Sequence, residues 1–256
     1  MPDLASPSPN PPGASGAVSV ANGPPRPGLV ELETSDTGAL VIPRSQLKAF
    51  NWQRRCSRMK RALLACADLQ QRQLQATAAR WRAAFITLTY RPGCGYNPRH
   101  ISECIKHLRH WCARRNWQLA YEWKAELQKR GAVHYHLVVW LPIALGLRSL
   151  RLDDRKWWPH GLTQFQWARK DPARYIAKYL SKAEQQRLPK GLRLYGRGGQ
   201  DSATRRQIRY ALLPSYVKEA FPDDMADVIR ARGGGWVERG SGEWMPAIPV
   251  VIDWSS

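Results

Sequence analysis

The amino-acid sequence predicts an α+β fold in which helices pack on a central antiparallel sheet. Between residues 83 and 187, segments with strand periodicity and segments with helix periodicity follow in the order strand, helix, strand, strand, strand, helix. The five residues QKRGA join the second and third strands and predict a hairpin. Strands joined in this way pair antiparallel, so the order indicates an α+β domain rather than a parallel α/β sheet.

The N-terminal part of the chain has two regions of different composition. Residues 1–40 are rich in proline, serine, glycine and alanine and include SPSPNPPGASG. Such a segment cannot bury enough apolar surface to offset its ordering entropy, so we expect it to be disordered. Residues 41–82 form a basic extension, with ten Lys or Arg from Ile42 to Arg82 and one acid, Asp68. We expect a helix here that offers a basic face to phosphates, and a merely solvated helix face is the alternative.

The first strand and the first helix of the core follow directly. AAFITLTY, residues 83–90, alternates and is rich in β-branched and aromatic residues, which predicts a strand. Asn97 and Pro98 are favourable N-cap and N1 residues, and Asn116 is a favourable end for the helix between them. The apolar stripe of this helix consists of Ile101, Cys104, Ile105, Leu108, Trp111 and Cys112.

The hairpin and the second helix complete the expected core, residues 83–187. WQLAYEWKAEL from residue 117 and VHYHLVVWL are the hairpin strands, and LTQFQWA, residues 162–168, is the last strand. Asp171 and Pro172 begin the second helix, ARYIAKYLSKAEQQ. Residues 188–256 form a C-terminal extension, a candidate for DNA binding, with a helix expected near 203–220.

The charge of the chain indicates a polyanionic partner. Forty Lys and Arg against twenty Asp and Glu give a net charge of +20, and nucleic acid is the usual partner of such a protein. The five cysteines form no C-x-x-C pair, which indicates a reducing compartment rather than a disulfide framework or a thiolate zinc site. The N-terminus lacks a signal-peptide pattern, and the longest apolar run, residues 137–147, is too short to span a membrane. We therefore expect a soluble, cytoplasmic protein with no membrane partner.

The stretch RGAVHYHLVVW places two histidines one residue apart in a predicted strand. Because alternate side chains of a strand share a face, His134 and His136 stand side by side and Tyr135 points to the other face. With the hairpin turn near residue 130, Glu126 lies opposite His134 on the same face; Glu122 has the same parity but lies two pairs further away. Two imidazoles and a carboxylate suit a catalytic divalent cation. A pair of histidines bonded to a neighbouring element is the alternative.

The second helix carries two tyrosines on its polar face. At about 100° per residue, Tyr175, Tyr179, Lys178 and Lys182 fall within an arc of roughly 100°. The opposite side carries the apolar residues Ala173, Ile176, Ala177 and Leu180. A tyrosine hydroxyl has a pKa near 10 and is a poor nucleophile, but a neighbouring lysine and a cation on the phosphate favour attack and a covalent phosphotyrosine. A helix that only binds phosphates through its lysines is the alternative.

These three elements together resemble the HUH endonucleases (histidine, hydrophobe, histidine). The matching motifs are FITLTY at 85–90, ELQKRGAVHYHL at 126–137 and YIAKYLSK at 175–182. They are most similar to rolling-circle replication initiators of phage type, filamentous or inovirus-like ones first. The resemblance implies a central antiparallel sheet of about five strands with flanking helices, similar to RNA-recognition and ferredoxin-like arrangements.

The resemblance also implies roles for single residues. His134, His136 and Glu126 correspond to the metal ligands of the family, with Mg or Mn as the ion. Tyr175 resembles the nucleophile of the Y-x-x-K pattern and Lys178 its partner. Tyr179 and Lys182 repeat that unit and correspond to a second nucleophile and its lysine.

Weaker expectations concern DNA contacts. Thr87 and Thr89 lie in the motif that the family places near the DNA. Arg54, Arg55, Arg205 and Arg206 are candidate DNA contacts because of their charge alone.

The implied function is a metal-dependent, sequence-specific endonuclease and ligase that acts on single-stranded origin DNA. Cleavage would leave a 5′-phosphotyrosine and free a 3′-hydroxyl for a host polymerase, in the cytoplasm of a bacterial host. The chain has no G-x-x-x-x-G-K-[ST] motif, so a host helicase is the expected partner for strand separation. A sister enzyme of the superfamily (plasmid initiator, relaxase or transposase) and a non-catalytic DNA-binding regulator on the same fold are the alternatives.

Overall fold

A computed structural model of the chain describes residues 33–35, 38–75, 80–128, 130–145, 150, 152–168, 172 and 188–254. Two of the predictions fall mostly or wholly outside these residues: the disordered segment 1–40, and the second helix with Tyr175, Lys178, Tyr179 and Lys182. The strands are β1 (Glu33–Thr34), β2 (Leu40–Pro43), β3 (Trp81–Tyr90), β4 (Ala120–Leu127), β5 (Val133–Pro142), β6 (Gly161–Trp167), β7 (Tyr195–Gly198), β8 (Val228–Arg230), β9 (Trp236–Glu238), β10 (Trp244–Met245) and β11 (Val250–Asp253). The helices are α1 (Leu47–Gln75), α2 (His100–Ala113), α3 (Ser202–Ala211) and α4 (Ser215–Ala220), and a short 3-10 helix spans Arg44–Gln46.

Five of these strands form the central sheet, in the order β6-β3-β5-β4-β7. Every neighbouring pair in this sheet is antiparallel. The predicted α+β class with a five-stranded antiparallel sheet is thereby confirmed. The first four of these strands are the predicted ones, with small differences at their ends: β3 begins at Trp81 and β4 begins at Ala120.

The fifth strand, β7, lies beyond the expected end of the core at residue 187. Its sequence, YGRG, shows little strand propensity because half of it is glycine. The glycines are needed where β7 crosses the aromatic side chains of β4. A Cβ atom on Gly196 would lie 2.6 Å from the ring of Trp123, and one on Gly198 would lie 2.6 Å from the hydroxyl of Tyr121. Tertiary contact rather than local propensity therefore determines this strand.

Each face of the central sheet is covered by a different helix. On one face, α2 packs against alternate residues of β3, β4 and β5, and Tyr135 is 1 % exposed there, directed away from the two histidines as expected. On the other face, Met59, Leu63 and Ala67 of α1 pack on the sheet. Helix α1 also contacts α3, the first helix of the C-terminal region. The histidines share the face that α1 covers, and they lie beyond the residues that α1 packs against.

The helices show how well local patterns predicted their ends. A helix in the basic region is confirmed over residues 47–75. Helix α2 begins at His100, two residues after Pro98, the expected first helical residue, because Asn97 caps a preceding turn, with its Oδ1 accepting from the Arg99 amide at 2.9 Å. Asn116 ends that region in the left-handed conformation, φ 57°, as its type favours.

The prediction of one helix near 203–220 was wrong, because two helices occupy this range. Pro214 separates α3 from α4, since proline lacks the amide hydrogen that a continuous helix requires. Asp201 caps α3 by accepting a hydrogen bond from the Thr204 amide at 2.7 Å. The C-terminal region then has its own small core of Leu213, Val217, Phe221 and Val228 beside the sheet β10-β9-β8.

None of the helices within the described ranges combines the length and the apolar character that crossing a membrane requires.

Candidate metal centre

The hairpin β4–β5 brings three candidate ligands together on one face of the sheet. Glu126 pairs directly with His134, the register that the sequence predicted. One ligand atom from each of Glu126, His134 and His136 lies within 4.8 Å of the other two. Both strands run antiparallel through these positions, so the pleat alone places all three side chains on the same side.

Glu126 is held as a carboxylate by its neighbours. His136 Nε2 lies 2.9 Å from Oε1, and Lys124 Nζ lies 3.4 Å from Oε2. Burial by itself would raise the pKa of this carboxyl, but the hydrogen bond and charge of His136, with the charges of Lys124 and His134, outweigh burial and lower the pKa to about 2. Glu126 is therefore ionised at neutral pH.

His134 is oriented by a chain of hydrogen bonds from the hairpin turn. Its Nδ1 lies 2.9 Å from Thr89 Oγ1 and 3.1 Å from Gln128 Nε2. Arg130 fixes the Gln128 amide by donating from Nε to Oε1 at 3.0 Å, and it donates from Nη2 to the carbonyl of Tyr90 at 2.6 Å. This chain ties the hairpin turn to the end of β3 and sets the plane of the imidazole.

The protonation states of Glu126 and His134 suit a divalent cation. Burial, together with the charge of His136, lowers the pKa of His134 to about 4, so this imidazole is neutral at neutral pH. A cation requires a neutral imidazole and an ionised carboxylate as ligands. The side chains of His136 and Glu126 are 11 % and 26 % exposed, so the site opens to solvent on one side. Two imidazoles and one carboxylate form a ligand set that fits a divalent cation and leaves further coordination positions open.

Glu122, the alternative carboxylate, lies away from this cluster. Its side chain is fully buried between β4 and α1, near the thiol of Cys66 and the guanidinium of Arg197. Burial raises its pKa well above the usual value, and the Cys66 thiol and the Arg197 charge oppose that rise only in part. The geometry therefore favours Glu126 as the ligand.

The two threonines of β3 lie on the face of the metal centre. Thr87 pairs with His136 and Thr89 pairs with His134. Since the Thr89 hydroxyl bonds the His134 ring, this residue has a role in ligand orientation that the sequence alone did not indicate.

The four arginines considered as DNA contacts have different surroundings. Arg54 is exposed, with its guanidinium 5.4 Å from the centre of the Phe50 ring, whereas Arg55 donates to the carbonyl of Leu192 at 3.4 Å. Arg205 is exposed on α3. Arg206 donates to the carbonyl of Met225 at 3.5 Å, a contact within the C-terminal region.

Three residues near the ligands were absent from the sequence prediction: Lys124, Gln128 and Arg130. The parity of Lys124, the same as that of Glu126, was a usable signal. The positions of the Gln128 and Arg130 side chains depend on the conformation of the turn, which the sequence QKRGA does not specify.

Comparison with known proteins identifies a similar family over the part of the chain that holds this site. Residues 83–184 match the family model of the replication-associated protein ORF2/G2P. The match spans somewhat under half of the chain and is consistent with a rolling-circle replication initiator. It contains the ligands Glu126, His134 and His136 and extends beyond the two-tyrosine segment. Searches of curated proteins and of solved structures gave no match.

Proposed function

We propose that this protein is a divalent-metal-dependent endonuclease and strand transferase that starts rolling-circle replication on single-stranded origin DNA. One observation carries the proposal: Glu126, His134 and His136 converge within 4.8 Å on one face of the sheet, inside the segment that matches the replication-associated family. The net charge of +20 supports a nucleic-acid substrate.

In this proposal the three ligands hold the metal ion, and the two-tyrosine segment supplies the nucleophile. When bound, Mg²⁺ or Mn²⁺ supplies Lewis-acid polarisation of a non-bridging phosphate oxygen. Glu126 and the two histidines hold that ion, and Gln128 and Thr89 keep the His134 ring in place. The hydroxyl of Tyr175 attacks the scissile phosphorus with loss of its proton, and Lys178 favours the phenolate. The bond from Tyr175 oxygen to phosphorus forms as the bond to the 3′ oxygen breaks, and that oxygen leaves as a 3′-hydroxyl after gaining a proton.

A second strand transfer closes the DNA product into a circle. Tyr179, with Lys182 three residues later, repeats the Y-x-x-K unit and is the second nucleophile; alternatively a 3′-hydroxyl attacks the Tyr175 phosphodiester directly. The freed 3′-hydroxyl is the primer for a host polymerase, and a host helicase separates the strands.

The test is a denaturing gel of the protein incubated with labelled single-stranded origin-region DNA and Mn²⁺. Wild type, Tyr175→Phe, Tyr179→Phe and the double variant are compared, with an EDTA lane and Tyr195→Phe on β7 as the matched tyrosine control. We expect a metal-dependent covalent band in wild type and Tyr195→Phe that the double variant lacks. The single variants identify which tyrosine attacks first.

A wild-type protein that binds this DNA but forms no covalent band would contradict the proposal and favour the non-catalytic regulator. Cleavage alone does not distinguish an initiator from a relaxase or transposase, because the reaction is shared. The preferred DNA substrate makes that distinction.

A further inference from the structure

Strand β6 presents an exposed row of side chains on the face of the metal centre. Its residues alternate, and Leu162, Gln164 and Gln166 are the exposed set. Leu162 is 71 % exposed, although it pairs with Thr89 of β3. A single exposed apolar side chain needs no explanation. The alignment of this row with the candidate metal ligands, however, needs an explanation.

The strand register connects β6 to the ligands through β3. Leu162 pairs with Thr89, which pairs with His134, which pairs with Glu126. The next row has the same form. It runs Gln164, Thr87, His136 and Lys124. Directly paired residues of an antiparallel sheet share a face, so Leu162 and Gln164 lie on the same surface as the ligands.

The distance from the ligands to β6 matches the scale of a few nucleotides. Neighbouring strands lie about 4.8 Å apart, so β6, two strands away from β5, runs about 10 Å from the histidines. A stacked strand of DNA rises about 3.4 Å per nucleotide, which makes this distance roughly three nucleotides, and fewer when the strand is extended. DNA with its scissile phosphate at the ligands therefore reaches β6 with the nucleotides that flank the cut.

The side chains of β6 suit bases rather than phosphates. The strand, GLTQFQW, carries no charged residue, in a chain of net charge +20, so it has nothing to offer a phosphate oxygen by ion pairing. Each glutamine offers an amide donor and an amide acceptor, the combination that pairs with the edge of a base. Leucine offers an apolar contact to a base face or a thymine methyl.

The backbone holds β6 close against β3. A Cβ atom on Gly161 would overlap the carbonyl oxygen of Thr89, so only glycine permits this approach at the start of β6. Leu162, the next residue, is thereby fixed beside Thr89, which itself bonds His134. The position of β6 relative to the ligands is set by backbone pairing rather than by a loop.

We propose that Leu162, Gln164 and Gln166 recognise bases of the single-stranded DNA held at the metal centre, and so determine the sequence that is cut. This inference rests on the proposed function and adds its specificity surface. Gln164 and Gln166 discriminate between bases, and Leu162 contributes affinity.

The experiment is selection from a pool of random single-stranded DNA in the presence of Mn²⁺, with the bound and the covalently attached fractions sequenced separately. The variants are Leu162→Ala, Gln164→Ala and Gln166→Ala. Gln75→Ala, an exposed glutamine at the end of α1, and Ile143→Ala, an exposed residue just after β5, are the matched controls. Mn²⁺ affinity is measured for every variant by calorimetry.

We expect each glutamine variant to lose preference at a particular base position by roughly fivefold or more, the discrimination of one bidentate amide–base pair. Leu162→Ala lowers retention of the whole pool, the controls keep the wild-type preferences, and Mn²⁺ affinity is unchanged in all of them. Preferences that depend on Gln164 in the bound fraction, without any covalent fraction, would refute the nuclease and still support base recognition by β6.

Three results overturn the inference. They are wild-type preferences in all the β6 variants, an absence of any base preference in the bound wild-type pool, and a loss of Mn²⁺ affinity in the glutamine variants. Wild-type base preferences in all the β6 variants are also expected if a partner protein rather than DNA binds the exposed side chains of β6.

Discussion

Gln128 illustrates how a single turn residue can orient a candidate metal ligand. Its amide is fixed by Arg130 on one side and contacts His134 Nδ1 on the other. Residues that orient a ligating histidine often change metal affinity by one to two orders of magnitude when they are replaced. The hairpin turn therefore belongs to the candidate metal centre, although none of its residues is a candidate ligand.

We expect Gln128→Ala to weaken Mn²⁺ binding roughly tenfold, because the His134 ring loses the Gln128 contact at Nδ1 that helps to orient it. Isothermal titration calorimetry measures this, with Gln75→Ala as the control for an exposed glutamine. If Gln128→Ala bound Mn²⁺ as wild type does, Thr89 alone would suffice to orient the ring.

Glu122 is a buried acid that the proposed chemistry does not use. The Cys66 thiol and the charge of Arg197 are its polar neighbours, but burial dominates and raises its pKa well above 4.5. Below pH 4.5 this carboxyl is protonated in both the folded and the unfolded state. As the pH rises, the unfolded chain ionises first, so the free energy of unfolding falls until the folded-state pKa is reached.

We therefore expect Glu122→Gln to remove part of the loss of stability between pH 5 and pH 8. Urea unfolding in EDTA at the two pH values measures the difference, with Glu219→Gln, an exposed acid of α4, as the control. Equal pH dependence in wild type and Glu122→Gln would show that Glu122 is ionised in the folded protein.

At the level of elements, β7 shows how a strand of poor propensity is built into a sheet. It pairs with β4 over Tyr121 to Lys124, and its two glycines leave room for the aromatic rings of that strand. Through β7, the C-terminal region contributes directly to the sheet that carries the metal centre.

We expect Gly196→Ala to destabilise the protein by about 1–3 kcal/mol, because the added methyl meets the Trp123 ring in a packed layer. The matched control is Gly233→Ala, where an added Cβ has nothing within 4 Å. Thermal unfolding compares the two. A change for Gly196→Ala no larger than that for Gly233→Ala would indicate that β7 shifts freely on the sheet.

The charge acts at the scale of the whole molecule. With a net charge of +20, DNA binding is expected to weaken steeply as salt increases, since counterions are released from the phosphates. Helix α1 packs on the sheet face that carries the candidate metal centre. Arg54 of this helix is exposed, whereas Arg72 is paired with Asp68 at 2.8 Å.

We expect Arg54→Ala to reduce the slope of log affinity against log salt by about one, the value for one phosphate contact. Arg72→Ala, whose charge is already paired, is the control and keeps the wild-type slope. Fluorescence anisotropy of labelled single-stranded DNA at several salt concentrations gives both slopes. Equal slopes for Arg54→Ala and wild type would place the DNA away from this part of α1.

The sequence by itself determined the α+β class, the hairpin register and the convergence of Glu126, His134 and His136. Strand alternation and a short turn are local properties, and the period of two fixes which residues share a face. The same local rule placed Tyr135 on the opposite face. The division of the helix expected near 203–220 was also readable from Pro214, although it was not predicted.

Only the tertiary structure decided which distant segments join the sheet and which side chains support the ligands. The addition of β7, the burial of Glu122 under α1 and the bonds of Thr89 and Gln128 to His134 all depend on packing between segments far apart in the chain or on turn geometry. Local periodicity does not encode these contacts, because they depend on how well side chains from separate elements fit together once the sheet has formed.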